Sequence, residues 1–477
     1  MPDHRTLALK RHDSHDHVTS DASSPLARGK AELFALLVLA LPLCTVYLGQ
    51  MLIGVVGTAV AGRLGEIALG ASGLGNSLFF ALALLGLGIM LGLDPLISQA
   101  IGARESALAR RLLHSSVWLA LALTLPLGAA ILAVSVWLER LGIDPRAAEV
   151  TRRYVFARLP GLAPFLVFVG LRSYLQAIGV TRPLVVSVVL ANAVNLPLSW
   201  ALTFGDAGLV AIGLPALGVP ALDVAGAAWA NTLATLVQML VLAEAARRIA
   251  TGSSTRTHVP TRALLARTLR LGIPIGFQLL AEVGVFSLVN VIMGNIDARA
   301  LASHQVAITL ASATFMVPVA IGAATSVRVG HAVGRGDAPA ARLAGVVGIA
   351  TGAVFMLCSA LTFLLAPELL ARLITNQPGV IAAALPLVLV AAVFQLSDGV
   401  QAVAAGALRG AGDTRVALAA NLGGHYLIGL PLGLLCAFRW GLGAQGLWWG
   451  LSAGLTVVAC VLTARVVRVT SRPVERA

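Results

Sequence analysis

The chain has 477 residues, is 58% hydrophobic and carries only 12% charged residues, with a mean hydropathy of +0.89. This excludes an ordinary soluble domain and describes a polytopic membrane protein. The formal net charge of +13 comes mostly from arginines at the ends of apolar runs, where they orient spans. No basic stripe interleaved with aromatics supports nucleic-acid binding.

Residues 1–30 are polar, with His4, His12, His15 and His17 among aspartates and serines, and read as a disordered cytoplasmic tail. The first apolar run starts near Ala31. It is longer than a signal-peptide core and has no clear cleavage site after it. A helix needs about 20 apolar residues to cross the hydrocarbon core. Such runs centre near 32–56, 74–98, 113–137, 155–177, 183–204 and 224–247, then near 270–293, 303–328, 343–366, 381–407, 416–437 and 445–467. Twelve spans place most of the arginine clusters on one side, including Arg104, Arg110 and Arg111 and those from Arg247 to Arg270. The positive-inside rule then puts both termini in the cytoplasm. Cys44, Cys358, Cys436 and Cys460 all lie in apolar runs, form no C-x-x-C pair, and read as small buried residues.

The two sets of six spans repeat at an offset near 232. LALPLCTVYLGQ, ending at Gln50, matches LGIPIGFQLLAE, ending at Glu282, and Pro42 pairs with Pro274. SQAIGARE, with Gly102, matches GHAVGRGD, with Gly334. LQAIGVTRP, with Gly179, matches LRGAGDTRV, with Gly412. The expected organisation is an N-terminal six-helix lobe over 31–248, a cytoplasmic linker over 249–263, a C-terminal six-helix lobe over 264–468 and a cytoplasmic tail over 469–477. An even number of spans per repeat inserts both halves in the same orientation, with a site near the membrane midplane.

ATP chemistry needs a P-loop lysine, but the only lysines are Lys10 and Lys30, neither in such a motif. No Gly-x-Ser-x-Gly or His-Glu-x-x-His pattern appears, so the chain is not expected to be an enzyme. His114, His304, His331 and His425 are scattered and read as structural. Three acids remain inside apolar segments: Asp94, Glu282 and Asp398. Around Asp398, the residues Phe394, Gln395, Gln401 and Ala405 share one helix face. Glu282 has Gln278 at i−4 and Phe286 at i+4. A carboxylate at membrane depth marks an ion or substrate pathway. It holds a proton or sodium ion and yields it to a cationic substrate, which is the minimal chemistry of an antiporter. The plainer alternative is a structural pairing with Arg328 or Arg172, favoured for Asp94. Phe286, Phe315, Phe394, Met293 and Met316 offer walls for bulky cations, although packing alone explains any single one of them.

At LLAEVGVF around Glu282, ASHQVAI around Gln305, FQLSDGVQAVAAGALRG around Asp398, RVGHAVGRGD and LRSYLQAIGVTRP, the chain resembles the multidrug and toxic compound extrusion (MATE) family, in its NorM-like bacterial branch. The resemblance runs over nearly all of 31–468. It implies an all-α integral membrane fold of twelve helices in two pseudo-symmetric six-helix lobes forming a V, which alternate in access. It implies a monomeric exporter of the bacterial inner membrane that moves organic cations and drugs against sodium ions or protons, with no cofactor and no metal beyond the transported cation. By resemblance, Glu282, Asp398 and Phe394 bind the coupling ion. Gln278, Gln305, Gln395, Gln401, Phe286, Phe315, Gln50, Asn192 and Asn195 are the candidate cavity residues, with Asp94 as an accessory acid. One departure stands out: relatives often carry an aspartate in the first helix, and here that position is Gly57, in VVGTAVAG. A lipid-linked sugar flippase of the same superfamily is the alternative, but such a cavity is expected to be cationic. The loop GARESALARR lacks the signature of the major facilitator class.

Overall fold

The computed structural model describes residues 24–250, 261–473 and 475–477. The described residues form helices and no strands. In order these are α1 (Pro25–Gly62), α2 (Glu66–Leu91), α3 (Leu93–Gly102), α4 (Ser106–Val136), α5 (Pro145–Arg158), α6 (Leu162–Ala177), α7 (Arg182–Ala211) and α8 (Val224–Ala250). The second half holds α9 (Arg262–Ile296), α10 (Ala298–Gly334), α11 (Ala338–Leu365), α12 (Pro367–Ile374), α13 (Pro378–Gly410), α14 (Arg415–Asn421), α15 (Leu430–Leu434) and α16 (Gly443–Thr470). Two π-helical stretches, Leu422–Gly429 and Leu435–Arg439, flank α15. Twelve helical runs among the described residues are long and apolar enough to cross a membrane, with α2–α3 making one of them.

Local sequence explains the ends and bends. Asp144, Asp297 and Asp337 each accept backbone N–H bonds at the start of α5, α10 and α11, satisfying donors a helix leaves unpaired. Prolines sit inside α1, α4, α7, α9, α10 and α13, which membrane helices tolerate when neighbours re-satisfy the freed backbone. Gly179 and Gly412 have φ of 72° and 81°. Each turns the chain out of a helix at an equivalent place in the repeat, in a region that favours glycine.

Some boundaries differ from the sequence expectation. The expected tail over 1–30 is cut short, because α1 starts at Pro25: Ser24 Oγ accepts the Ala27 N–H, and proline suits a first helical turn. Residues 1–23, including the four tail histidines, lie outside the described residues, as do 251–260 of the expected linker. The expected C-terminal tail is tied down: Arg476 pairs with Glu105 at 2.6 Å, and the Ala477 N–H donates to Gln99 Oε1. Cys358 and Cys460 are exposed rather than buried, since each falls on the outer side of its helix.

By internal contacts the chain divides into two units. Of the described residues, one unit contains those up to Tyr47, Asp94–Ser106 and those from Arg270 on; the other contains Leu48–Leu93 and those between Ala107 and Leu269. Two early segments therefore group with the second half, unlike the 31–248 and 264–468 division. The first is held by Glu32, whose two carboxylate oxygens accept from Arg328 Nε and Nη2 at 2.8 and 2.6 Å. Both side chains are buried.

The second segment, α3, is held by a crossing with α10. Gly102 packs on the His331 backbone, Gly334 on the Gln99 carbonyl, and Gly330 on Ser98. A Cβ at any of these glycines would collide, so the sequence needs glycine here for close approach. The offsets 98→330, 99→331 and 102→334 are all 232. The crossing is thus a local twofold built from the two copies of one repeated segment.

Candidate functional site

In the unit that contains the second half, α9 and α13 bring the two predicted acids together. Glu282 is half-buried on α9 and Asp398 is buried on α13. Gln401, one turn beyond Asp398, donates from Nε2 to Glu282 Oε1 at 3.1 Å. Glu282 and Gln401 both lie close enough to Asp398 to act on it electrostatically. Gln395 is fully buried one turn before Asp398. Its Oε1 accepts from Thr314 at 3.0 Å and from Ser359 at 2.6 Å. Gln395 Nε2 and Gln401 Oε1 have no partner. Buried polar atoms without partners call for an explanation; of the two, Gln401 Oε1 is an acceptor and Gln395 Nε2 a donor.

Aromatic side chains close the other side. Phe394 is fully buried in an apolar cluster with Val285, Val289, Leu387 and Trp448. Its ring meets Phe286 edge-on at 6.1 Å and Trp448 at 5.5 Å between centroids. Gln278 is buried on α9 one turn before Glu282. Phe315 is half-buried beside Thr314 on α10. Gln305 is not drawn in: it is exposed. The adjacent His304 takes the inward direction instead and is bonded by Trp448 Nε1 at 3.2 Å.

The basic groups fall differently from the sequence expectation. Arg328 pairs with Glu32, not with Glu282 or Asp398. Arg172 lies over the Phe168 ring at 5.9 Å. Asp94 is buried at the start of α3 and faces Arg409 Nη1 at 3.7 Å, an arginine other than the Arg328 or Arg172 expected for it. Arg409 also lies within electrostatic range of Glu282.

The other unit offers amides. Gln50 Nε2 donates to Gln238 Oε1 at 3.2 Å. Asn192 Nδ2 donates to the Gly49 and Val188 carbonyls. Asn195, fully buried, donates to Asn231 Oδ1 at 2.9 Å. A Cβ at Gly57 would come within 3.4 Å of Asn231 Nδ2. The position where relatives were expected to carry an acid therefore adjoins this amide pair. Sequence reasoning missed Asn231, Gln238, Thr314 and Ser359. Their signal was available, as polar residues inside apolar spans, but weak, because membrane helices commonly use such residues for packing.

A sequence-family model described as MatE matches residues 42–201 and 274–435. The chain belongs to the MatE family. Curated relatives agree along almost the whole MatE chain. It is 37% identical over 435 residues to a probable multidrug resistance protein NorM of Bradyrhizobium diazoefficiens, covering 90% of this chain and 91% of the relative. It is 34% identical over 460 residues to the multidrug resistance protein PmpM of Pseudomonas aeruginosa, covering 93% and 94%. It is 31% identical over 450 residues to the multidrug resistance protein NorM of Aliivibrio fischeri, covering 94% and 96%. Among solved structures, a MATE in complex with MaD3S superposes with a TM-score of 0.83 at 20% identity, covering 92% of this chain and 96% of that one. The eukaryotic MATE transporter AtDTX14 gives 0.80 at 22% identity, with the same coverage. These likenesses establish a twelve-helix MATE fold. Members of the MatE family are membrane transporters, not enzymes.

Proposed function

We propose that this protein is a secondary active multidrug exporter that antiports organic cations and drugs against sodium ions or protons by alternating access. The observation that carries this reading is the acidic pair: Glu282, bonded by Gln401, and Asp398 close to both, on two helices of one unit beside Phe286 and Phe394. Two carboxylates at membrane depth form a charge reservoir that one monovalent ion or one organic cation neutralises, and the two compete for it. The aromatic edges and apolar wall suit the hydrophobic part of the cation. The names of the NorM and PmpM relatives support the drug-export reading.

In this scheme the two six-helix halves are the moving lobes, Glu282 and Asp398 hold the ion, and Gln278, Gln395 and Phe315 line its chamber. Gln50, Asn192 and Asn195 bind substrate through neutral hydrogen bonds. The protein works as a monomer in the bacterial inner membrane with both termini cytoplasmic, and sodium is favoured over the proton as coupling ion. The test is transport of a fluorescent cation in proteoliposomes with sodium and proton gradients imposed separately. Flux that follows one gradient supports antiport and names the ion. Flux that follows neither overturns it.

A further inference from the structure

Four histidines lie among the described residues, and three of them have partners. His114 Nδ1 meets the Arg110 carbonyl at 2.8 Å. His304 is bonded by Trp448, and His331 also has a partner. His425 differs: it is fully buried, and neither ring nitrogen has a hydrogen-bond partner. Leaving a buried polar group unpaired is costly, and an imidazole always presents at least one donor. A residue kept only for packing would be better served by leucine or phenylalanine.

The backbone at this point is unusual as well. His425 lies in the π-helical stretch Leu422–Gly429. Such wide turns occur mostly as single bulges and frequently at functional sites. The stretch is anchored to α9 by the next residue, since Tyr426 Oη donates to the Ala281 carbonyl at 2.8 Å. Ala281 immediately precedes Glu282. The His425 ring lies 6.3 Å from the Phe286 ring, and Phe286 is one turn beyond Glu282 and in edge contact with Phe394. Asn421, one turn earlier, is also fully buried, with Oδ1 unpaired. The π turn thus presents an unpaired imidazole, with an unpaired carbonyl one turn before it, beside the aromatic wall that flanks the acidic pair.

We propose that His425 is a specificity-determining residue of the cation site, accepting a hydrogen bond from the N–H of a protonated amine. The inference rests on the cation-export reading and adds a distinction within it. The carboxylates attract any cation. A neutral imidazole nitrogen rewards only a cation that carries an N–H, because a quaternary ammonium has no proton to give. A site built to hydrogen-bond a group discriminates against an analogue that lacks it, since the buried acceptor is then left unpaired.

The experiment compares two dyes that differ in one group. Acridine orange, protonated at its ring nitrogen, has a single N–H; its 10-methyl derivative is a fixed cation with none. Binding of each to the purified full-length protein is measured by fluorescence polarisation, for wild type, His425→Leu and His425→Asn. Wild type is expected to favour acridine orange, and His425→Leu to erase about tenfold of that ratio. His425→Asn, which keeps an acceptor at this position, retains most of it. A ratio unchanged in both variants overturns the role of His425 while leaving cation export standing. Loss of both dyes to the same degree in both variants assigns the ring to packing and overturns the role equally. Failure of the wild type to bind either dye overturns the cation-site reading beneath it.

Discussion

Gln50 and Glu282 occupy equivalent places in the repeat and make the same kind of contact with different charge. Gln50 bonds the carboxamide of Gln238; Glu282 accepts from the carboxamide of Gln401, with a second carboxylate nearby. The backbone devices around them are shared, including Pro42 with Pro274, Gly102 with Gly334 and Gly179 with Gly412. Duplication therefore kept what shapes the helices and let the charge of the site diverge. The first half has gone further from acid, for Gly57 adjoins an amide pair, and the Arg158 guanidinium lies over the Phe79 ring at 4.6 Å. On the proposed reading, one half holds a cation by charge and the other binds by neutral hydrogen bonds.

Charged and neutral contacts should then respond differently to mutation. The largest expected effect is on stability: Arg328→Met leaves the buried Glu32 carboxylate unpaired and is expected to cost about 3–5 kcal/mol. Gln238→Leu, which breaks a neutral pair, is expected to cost about 1 kcal/mol. Reversible unfolding in mixed micelles compares the two, and equal costs would remove the contrast. Next comes transport. Glu282→Gln and Asp398→Asn are each expected to lower coupled efflux by about 100-fold, read as initial rates at matched expression; undiminished efflux in both would dismiss the acidic pair.

The third effect tests what the halves share. Gly102→Ala and Gly334→Ala place a methyl against equivalent backbone and should destabilise alike, by about 1–3 kcal/mol each. A large inequality would deny the local twofold. The smallest effect is at Gln50: Gln50→Leu should reduce efflux only about fivefold or less, since no charge is lost. A loss as deep as that of Glu282→Gln would mean that the neutral half carries as much of the coupling as the acidic one.

Hydropathy made the twelve spans legible, because membrane crossing imposes a length and a composition that can be read locally. The acids on α9 and α13 were legible for the same reason, as costly exceptions to that composition. Partner choice was not. Arg328 looked like a counterion for Glu282 or Asp398, yet it binds Glu32, 296 positions away, and no local pattern encodes such a distance. Gln305 sits in a recognisable motif, but its rotation on α10 is set by His304 packing against Trp448. The π turn at His425 was equally hidden. The sequence HYLIGLPLG reads as ordinary span, and the widening shows only once Tyr426 is seen bonded to α9. Motif and composition identify which residues are expensive; tertiary packing decides which of them meet.

The Glu32–Arg328 pair has a consequence for how the chain is made. Ribosomes add about 5–20 residues per second, so Glu32 emerges about 15 to 60 s before its arginine exists. During that interval the start of α1 has no permanent counterion and no settled burial. The first helix of this protein is therefore among the last to reach its final surroundings, and the membrane must hold it provisionally until the eighth span has been delivered.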